Sequence, residues 1–134
     1  SNAYIDSDGG FYTWYTATAG TGTTALTVNG QNTTASICPK GCRLPTSGDN
    51  GEFKILDSNY SSSSALRSNP VNLTLSGYVG SSSRYHQGSS GFYWSSTVDS
   101  SGGAYDLRLS TSTVNPANHY NHKHSGFSVR CIAR

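Results

Sequence analysis

Methionine is absent from this chain of 134 residues, glutamate occurs once and lysine three times. Charged residues make up 12% of the sequence, and nine basic against seven acidic side chains leave a formal charge of +2. Basic residues so thinly spread form no stripe that could track phosphates, so nucleic acid is not an expected partner. No apolar run approaches the roughly 20 residues of a membrane-spanning helix, so no direct membrane insertion is expected of this segment. No signal peptide is visible, and Ser1-Asn2-Ala3 reads as an expression-tag scar ahead of a single domain over 4–134. There is no Gly-x-Ser-x-Gly elbow, and the scattered aspartates with the single Glu52 offer no paired carboxylates. No enzymatic activity, catalytic residue, metal or cofactor is therefore expected.

Serine (24), threonine (14) and glycine (15) together supply 53 residues, and only 34% of the chain is hydrophobic. Such a composition can signal disorder, but disordered chains are poor in aromatics and carry a large net charge. Here aromatics reach 11%, with nine tyrosines, and the charge is small. A folded domain is the consequence.

Of three cysteines, Cys38, Cys42 and Cys131, at least one must stay unpaired within the chain. Cys38 and Cys42 are spaced more widely than a C-x-x-C pair, and a zinc site completed by histidines is the alternative to a disulfide. A Cys38–Cys131 disulfide is the more attractive arrangement. It would close a loop of about 90 residues, worth roughly 3–5 kcal/mol in the chain-entropy model. It would also imply an oxidising compartment.

Along the chain, the Thr/Gly-rich stretch from Tyr12 to Thr34, anchored by Phe11-Tyr12-Thr13-Trp14-Tyr15, suggests short strands and loops. After Pro45, Asp49 and Glu52 fit a capping box that opens a helix ending near Ser58-Asn59. Phe53, Leu56 and Tyr60 share one face, with Ile55 beside them. A second short helix is expected from Ser62 to Arg67, stopped by Asn69-Pro70. The period then becomes two: Val71, Leu73, Leu75; Phe92 and Trp94 around Tyr93; Tyr105, Leu107, Leu109; Phe127, Val129, Cys131. Four such segments predict an antiparallel sheet with one buried face, with Phe92 and Trp94 on one side and Tyr93 on the other. The intervening loops at 77–91, 98–103 and 115–125 are long for hairpins, which suggests binding or display.

Cys38-Pro39-Lys40-Gly41, followed by Arg43-Leu44-Pro45-Thr46 and a helix, resembles the CPxGWRLPT signature of the Fibrobacter succinogenes major paralogous domain. Ser76-Gly77-Tyr78, Tyr93-Trp94-Ser95-Ser96-Thr97, Ala104-Tyr105-x-Leu107 and Gly126-Phe127-Ser128-Val129-Arg130-Cys131 resemble its later landmarks, in order, over roughly residues 36–134. The resemblance implies the formylglycine-generating-enzyme-like branch of the C-type lectin-like fold. That is an α+β domain with short helices flanking a twisted antiparallel sheet and long ordered loops. Cys42 stands where that family usually has Trp, so its thiol could compete for either cysteine partner. The paired active-site cysteines of formylglycine-generating enzymes do not map onto this chain. Arg43 and Arg130 sit within landmarks, where they would bind loop carbonyls or hold Asp49.

The C-terminal half also resembles proteins diversified by retroelements, which use this fold and vary residues of the Asn, Tyr, Asp, His, Ser, Thr, Gly and Arg set. The candidate ligand-binding positions are of this type. Tyr78, Ser83, Arg84, Tyr85 and His86 lie in the first loop, with Ser81 beside them; Asp99 lies in the second, next to Ser100. Asn118, His119, Tyr120, His122 and His124 lie in the third, with Asn121. Loop tyrosines give rigid amphipathic contact area, and Ser and Asn give adaptable hydrogen bonds.

His119-x-x-His122-x-His124 could grip a metal if His122 and His124 faced one side of a strand, but no carboxylate stands nearby in sequence and Lys123 adds positive charge. A ligand-contacting or solvated loop is the preferred reading. Asp6-x-Asp8-Gly9 reads as a turn and not a calcium loop, because no Glu follows at the twelfth position. The Glu-Pro-Asn and Trp-Asn-Asp motifs of calcium-dependent lectins are also absent. The resulting expectation is a secreted or surface-displayed, monomeric domain that binds a protein or glycan through its loops. The alternative is a structural module of a larger envelope or adhesive protein.

Overall fold

The period-two signals at 92–94 and 105–109 become strands of one central sheet. In the computed structural model, which describes residues 3–6 and 9–134, β1 (Ala3–Asp6), β2 (Gly9–Tyr12) and α1 (Trp14–Ala17) come first. They are followed by β3 (Cys42–Arg43), α2 (Glu52–Tyr60), α3 (Ser63–Leu66), β4 (Tyr78–Val79) and β5 (Arg84–Tyr85). The chain ends with β6 (Ser90–Val98), β7 (Gly103–Ser110), β8 (Val114–His122) and β9 (Ile132–Ala133). The architecture is α+β, with short helices and antiparallel strand pairs β1-β2, β3-β9 and β4-β5 around the antiparallel sheet β6-β7-β8.

Both faces of that sheet are covered, where one buried face was expected. Every residue of β6 is buried. Because side chains alternate along a strand, Phe92 and Trp94 join Trp14, Ala17, Leu44 and Phe127 on one face. Tyr93 joins Phe53, Leu66, Leu73, Leu107 and Leu109 on the other, under α2 and α3. Both indoles find acceptors, Trp14 Nε1 at Ser95 O (2.8 Å) and Trp94 Nε1 at Tyr12 O (2.7 Å). Trp94 is a core residue, as its place in the Tyr93–Thr97 landmark of the resemblance implies.

Two of the four expected strands take other forms. Residues 71–75 do not join a ladder: Asn72 has a positive φ of 55°, and the amides of Leu73 and Thr74 donate to Leu66 O and the Tyr93 hydroxyl. The segment at 126–128 meets β6 through one parallel bridge, Ser128 to Tyr93, with Trp94 N donating to Ser128 O and Ser128 N to Phe92 O. Conversely, most of the expected loop at 115–125 is strand β8, and the loop at 77–91 holds the hairpin β4-β5. At its base Gly77 has φ of 73°, and a Cβ there would strike Tyr85 O.

The start of α2 differs from the Asp49–Glu52 box. Glu52 N donates to Thr46 Oγ1 (3.0 Å), and Thr46 N donates to Glu52 Oε1 (2.9 Å), so Thr46 supplies the reciprocal cap. The tight turn from Ser47 to Gly51 permits this, because a Cβ on Gly51 would collide with the Ser47 backbone. Arg43 consequently pairs with Glu52, at 2.6 and 2.5 Å, and does not hold Asp49. The helix runs to Tyr60 and stops at Ser61 (φ 66°), while Ile55 is 57% exposed instead of packed. The α3 helix lies within the expected range, capped by the Ser62 side chain. Cys38 and Cys131 form a disulfide, and Cys42 is a free thiol in β3, opposite Ala133.

Candidate functional site

Asp106 on β7 has no solvent exposure. Asn121 Nδ2 donates to it at 2.6 Å, and Asn118 Nδ2 reaches both carboxylate oxygens at 3.2–3.3 Å. Residues three apart on a regular strand point to opposite faces. Here the β7-β8 register shifts between Ala104 and Asp106, and the resulting bulge lets both carboxamides reach one carboxylate. Burial pushes the Asp106 carboxyl up to about 7, against the pull of Asn121, Asn118 and the Arg108 charge toward lower values.

Next to Asp106 in the chain, Tyr105 presents its hydroxyl at the surface. Asn29 Nδ2 donates to that hydroxyl (3.0 Å) and to Asp99 Oδ1 (3.2 Å), and the His119 ring lies 5.9 Å from the Tyr105 ring. Asn29 and Tyr105 border an open cleft of about 340 Å³, lined also by Asn32, Asp49, Asn50 and the turn at 46–48. One wall is held rigidly: Gly30 N donates to Val98 O, Val98 N to Gln31 O, and Asn32 Oδ1 accepts from the Ser96 and Thr97 hydroxyls. The other wall is the turn that caps α2. A carboxylate, several carboxamides and a phenol around one hollow can exchange hydrogen bonds with hydroxyl-rich ligands without a cofactor.

The positions read from sequence do not converge on a single site. Asp99 and His119 border the Tyr105 group, whereas Asn118 turns inward to Asp106. Tyr78 is half-buried, stacked on Tyr85 at 5.3 Å and edge-on to Phe92 at 5.1 Å, so it anchors the hairpin. Arg84 donates from Nε and Nη2 to Ser76 O and covers the Phe11 ring, a packing role. Ser83, Tyr85 and His86 are exposed on and beside the hairpin, and His122 and His124 are exposed with their rings stacked at 5.1 Å. The Tyr120 side chain and Asp8 lie outside the described residues. Among the described residues, no three His, Cys, Asp or Glu side chains are grouped to hold a metal.

Sequence reasoning read Lys123 only as a positive charge beside the histidines and missed its burial. Its side chain is fully buried, and Nζ donates to Thr23 O, Leu26 O and Ser101 O at 2.9–3.0 Å while lying 4.8 Å from the Trp14 ring centroid. Burial lowers its pKa. Its acceptors are backbone carbonyls, which leave no trace in residue identity. Asn29 and Tyr105 were missed as a pair because 76 positions separate them.

No curated protein and no solved structure matches the chain. Residues 52–132 match the family model described as Domain of unknown function (DUF8237), from the first residue of α2 to the first of β9. That segment is more than half of the chain and contains Asp106, Asn118, Asn121 and Lys123, so the protein belongs to the DUF8237 family.

Proposed function

We propose that this domain is a secreted or surface-displayed ligand-binding module of C-type lectin-like architecture, acting by recognition and not by catalysis. The observation that carries the reading is the cleft beside Tyr105, where Asn29, Asn32, Asp49 and Asn50 ring a rigidly backed hollow of about 340 Å³. Its volume falls within the range of small-molecule sites, and its lining suits a glycan better than an apolar ligand. The α+β fold with three short helices and long ordered segments supports the lectin-like assignment. The disulfide supports an oxidising, extracellular setting.

Retroelement diversification fits the solvent-facing positions Ser83, Tyr85, His86, His122 and His124. It fits Asn118 and Asn121 poorly, because replacing them would strand a buried carboxylate. A near-copy of the 3′ coding region beside a reverse-transcriptase gene, with adenine-directed mismatches at those exposed codons, is the genomic test.

The site itself is tested on a glycan array, followed by calorimetry on any hit. Asn29→Ala and Tyr105→Phe should each weaken binding by about tenfold or more, one lost hydrogen bond to a polar ligand being worth about that factor. Unchanged affinity in both variants would remove the cleft from the reading. Binding to no glycan or protein would favour the structural-module alternative.

A further inference from the structure

On another part of the surface, α2, the 70–73 segment and residues 130–132 enclose a groove of about 450 Å³ that shares no lining residue with the Tyr105 cleft. Phe53 and Leu73 are its buried apolar residues, and Ile55, Val71 and Ile132 are more accessible. Ile55 is 57% exposed, a large aliphatic side chain left uncovered beside an apolar hollow.

The charges around this groove are unequal. Glu52 also lines it, but both carboxylate oxygens are held by Arg43, which neutralises it. Arg130 is exposed, and its Nη1 donates to Val71 O at 2.6 Å, which fixes the guanidinium at the groove. Among the described residues no carboxylate lies within ion-pairing distance of it. A guanidinium has five N–H donors in a planar fork that matches a carboxylate, so most of its donor capacity remains for a ligand.

We infer that this groove binds a small amphipathic carboxylate, its apolar tail against Phe53, Ile55 and Leu73 and its carboxylate on Arg130. The two halves of the site select together. A hydrocarbon without a charge leaves Arg130 unused, and a hydrophilic anion leaves the apolar walls wet. A cationic amphiphile meets the wrong charge.

The test uses the full chain with decanoate, decanol and decyltrimethylammonium as probes, followed by backbone amide NMR below each probe's micelle concentration. Decanoate should give saturable shifts centred on Ile55, Val71 and Leu73, with affinity at least about tenfold above decanol and no saturable binding of the cation. Arg130→Gln should reduce decanoate to the decanol level, Arg130→Lys should retain part of the preference, and Lys54→Gln, outside the groove, should change nothing. Equal binding of decanoate and decanol, shifts centred elsewhere, or no saturation by decanoate would overturn the inference. The three-probe comparison on the unmodified chain decides the matter even if an Arg130 variant fails to fold.

Discussion

Asp106 and Lys123 are both fully buried ionisable groups of opposite type, and they do not pair with each other. Asp106 is met by two carboxamides, and Lys123 by three backbone carbonyls and the face of Trp14. Each is met by its own set of neutral dipoles, so each makes a separate demand on the fold.

Asp106 makes stability depend on pH in a direction opposite to most carboxylates. Its folded value, about 7, lies above the ordinary 3.8, so between these values the folded state holds the proton and the unfolded state does not. Stability therefore falls as pH rises across this window, by up to about 1.4 kcal/mol per pH unit. Urea denaturation at pH 5 and pH 8 should give the lower midpoint at pH 8, and Asp106→Asn should flatten the difference. Equal midpoints would show that the carboxamides compensate the ionised form in full.

Lys123→Met keeps an unbranched side chain but leaves Thr23 O, Leu26 O and Ser101 O without their donor. The expected loss is about 3 kcal/mol or more. The 23–26 segment should also become sensitive to limited proteolysis before the rest of the chain does. A stability loss below about 1 kcal/mol would mean that water replaces the ammonium at little cost.

The denatured, unreduced protein should titrate one thiol, Cys42, and the reduced protein three. Reduction should lower stability by about 3–5 kcal/mol, given the sequence separation of 93 between the bridged cysteines. Three thiols before reduction would refute the bridge.

Glu52 behaves in the usual carboxylate sense. The Arg43 hydrogen bonds, chiefly, bring it down to about 2, so its contribution is complete above the ordinary 4.5 and is lost as pH falls through 2. Both partners are about one-third exposed (33% and 32%), which limits the effect through solvent screening. Glu52→Gln should cost about 1 kcal/mol by thermal or urea melt at neutral pH, and the difference from the parent should vanish near pH 2.

The elements that sequence foretold are those whose signal is local. The α2 and α3 helices, β6 and β7 carry local signals, whereas the cysteines favour a Cys38–Cys131 bridge but leave Cys42, almost as far from Cys131, as a competitor that only the structure removes. β8 does not, because Val-Asn-Pro-Ala-Asn-His-Tyr-Asn-His has no apolar alternation; its pairing with β7 and the demands of Asp106 make it a strand. At 71–75 the alternation is real but serves an irregular segment seated on Phe53 and Tyr93. The helix cap was misread because Thr46 reaches Glu52 across a folded turn instead of the usual three-residue spacing. The cleft was invisible because Asn29 and Tyr105 stand 76 positions apart and meet only in the folded chain.

The Cys38–Cys131 bridge has a mechanical consequence. Tension applied through the two ends of the domain crosses this covalent link and bypasses everything between residues 38 and 131. The inner wall of the cleft, Asn50 and Tyr105, lies within the bypassed span, while the outer wall, Asn29 and Asn32, lies outside it. Under load the outer wall can peel away while the inner wall stays folded. A ligand gripped by both would then be released by force, at a point set by the hydrogen bonds that fasten residues 30–33 to β6.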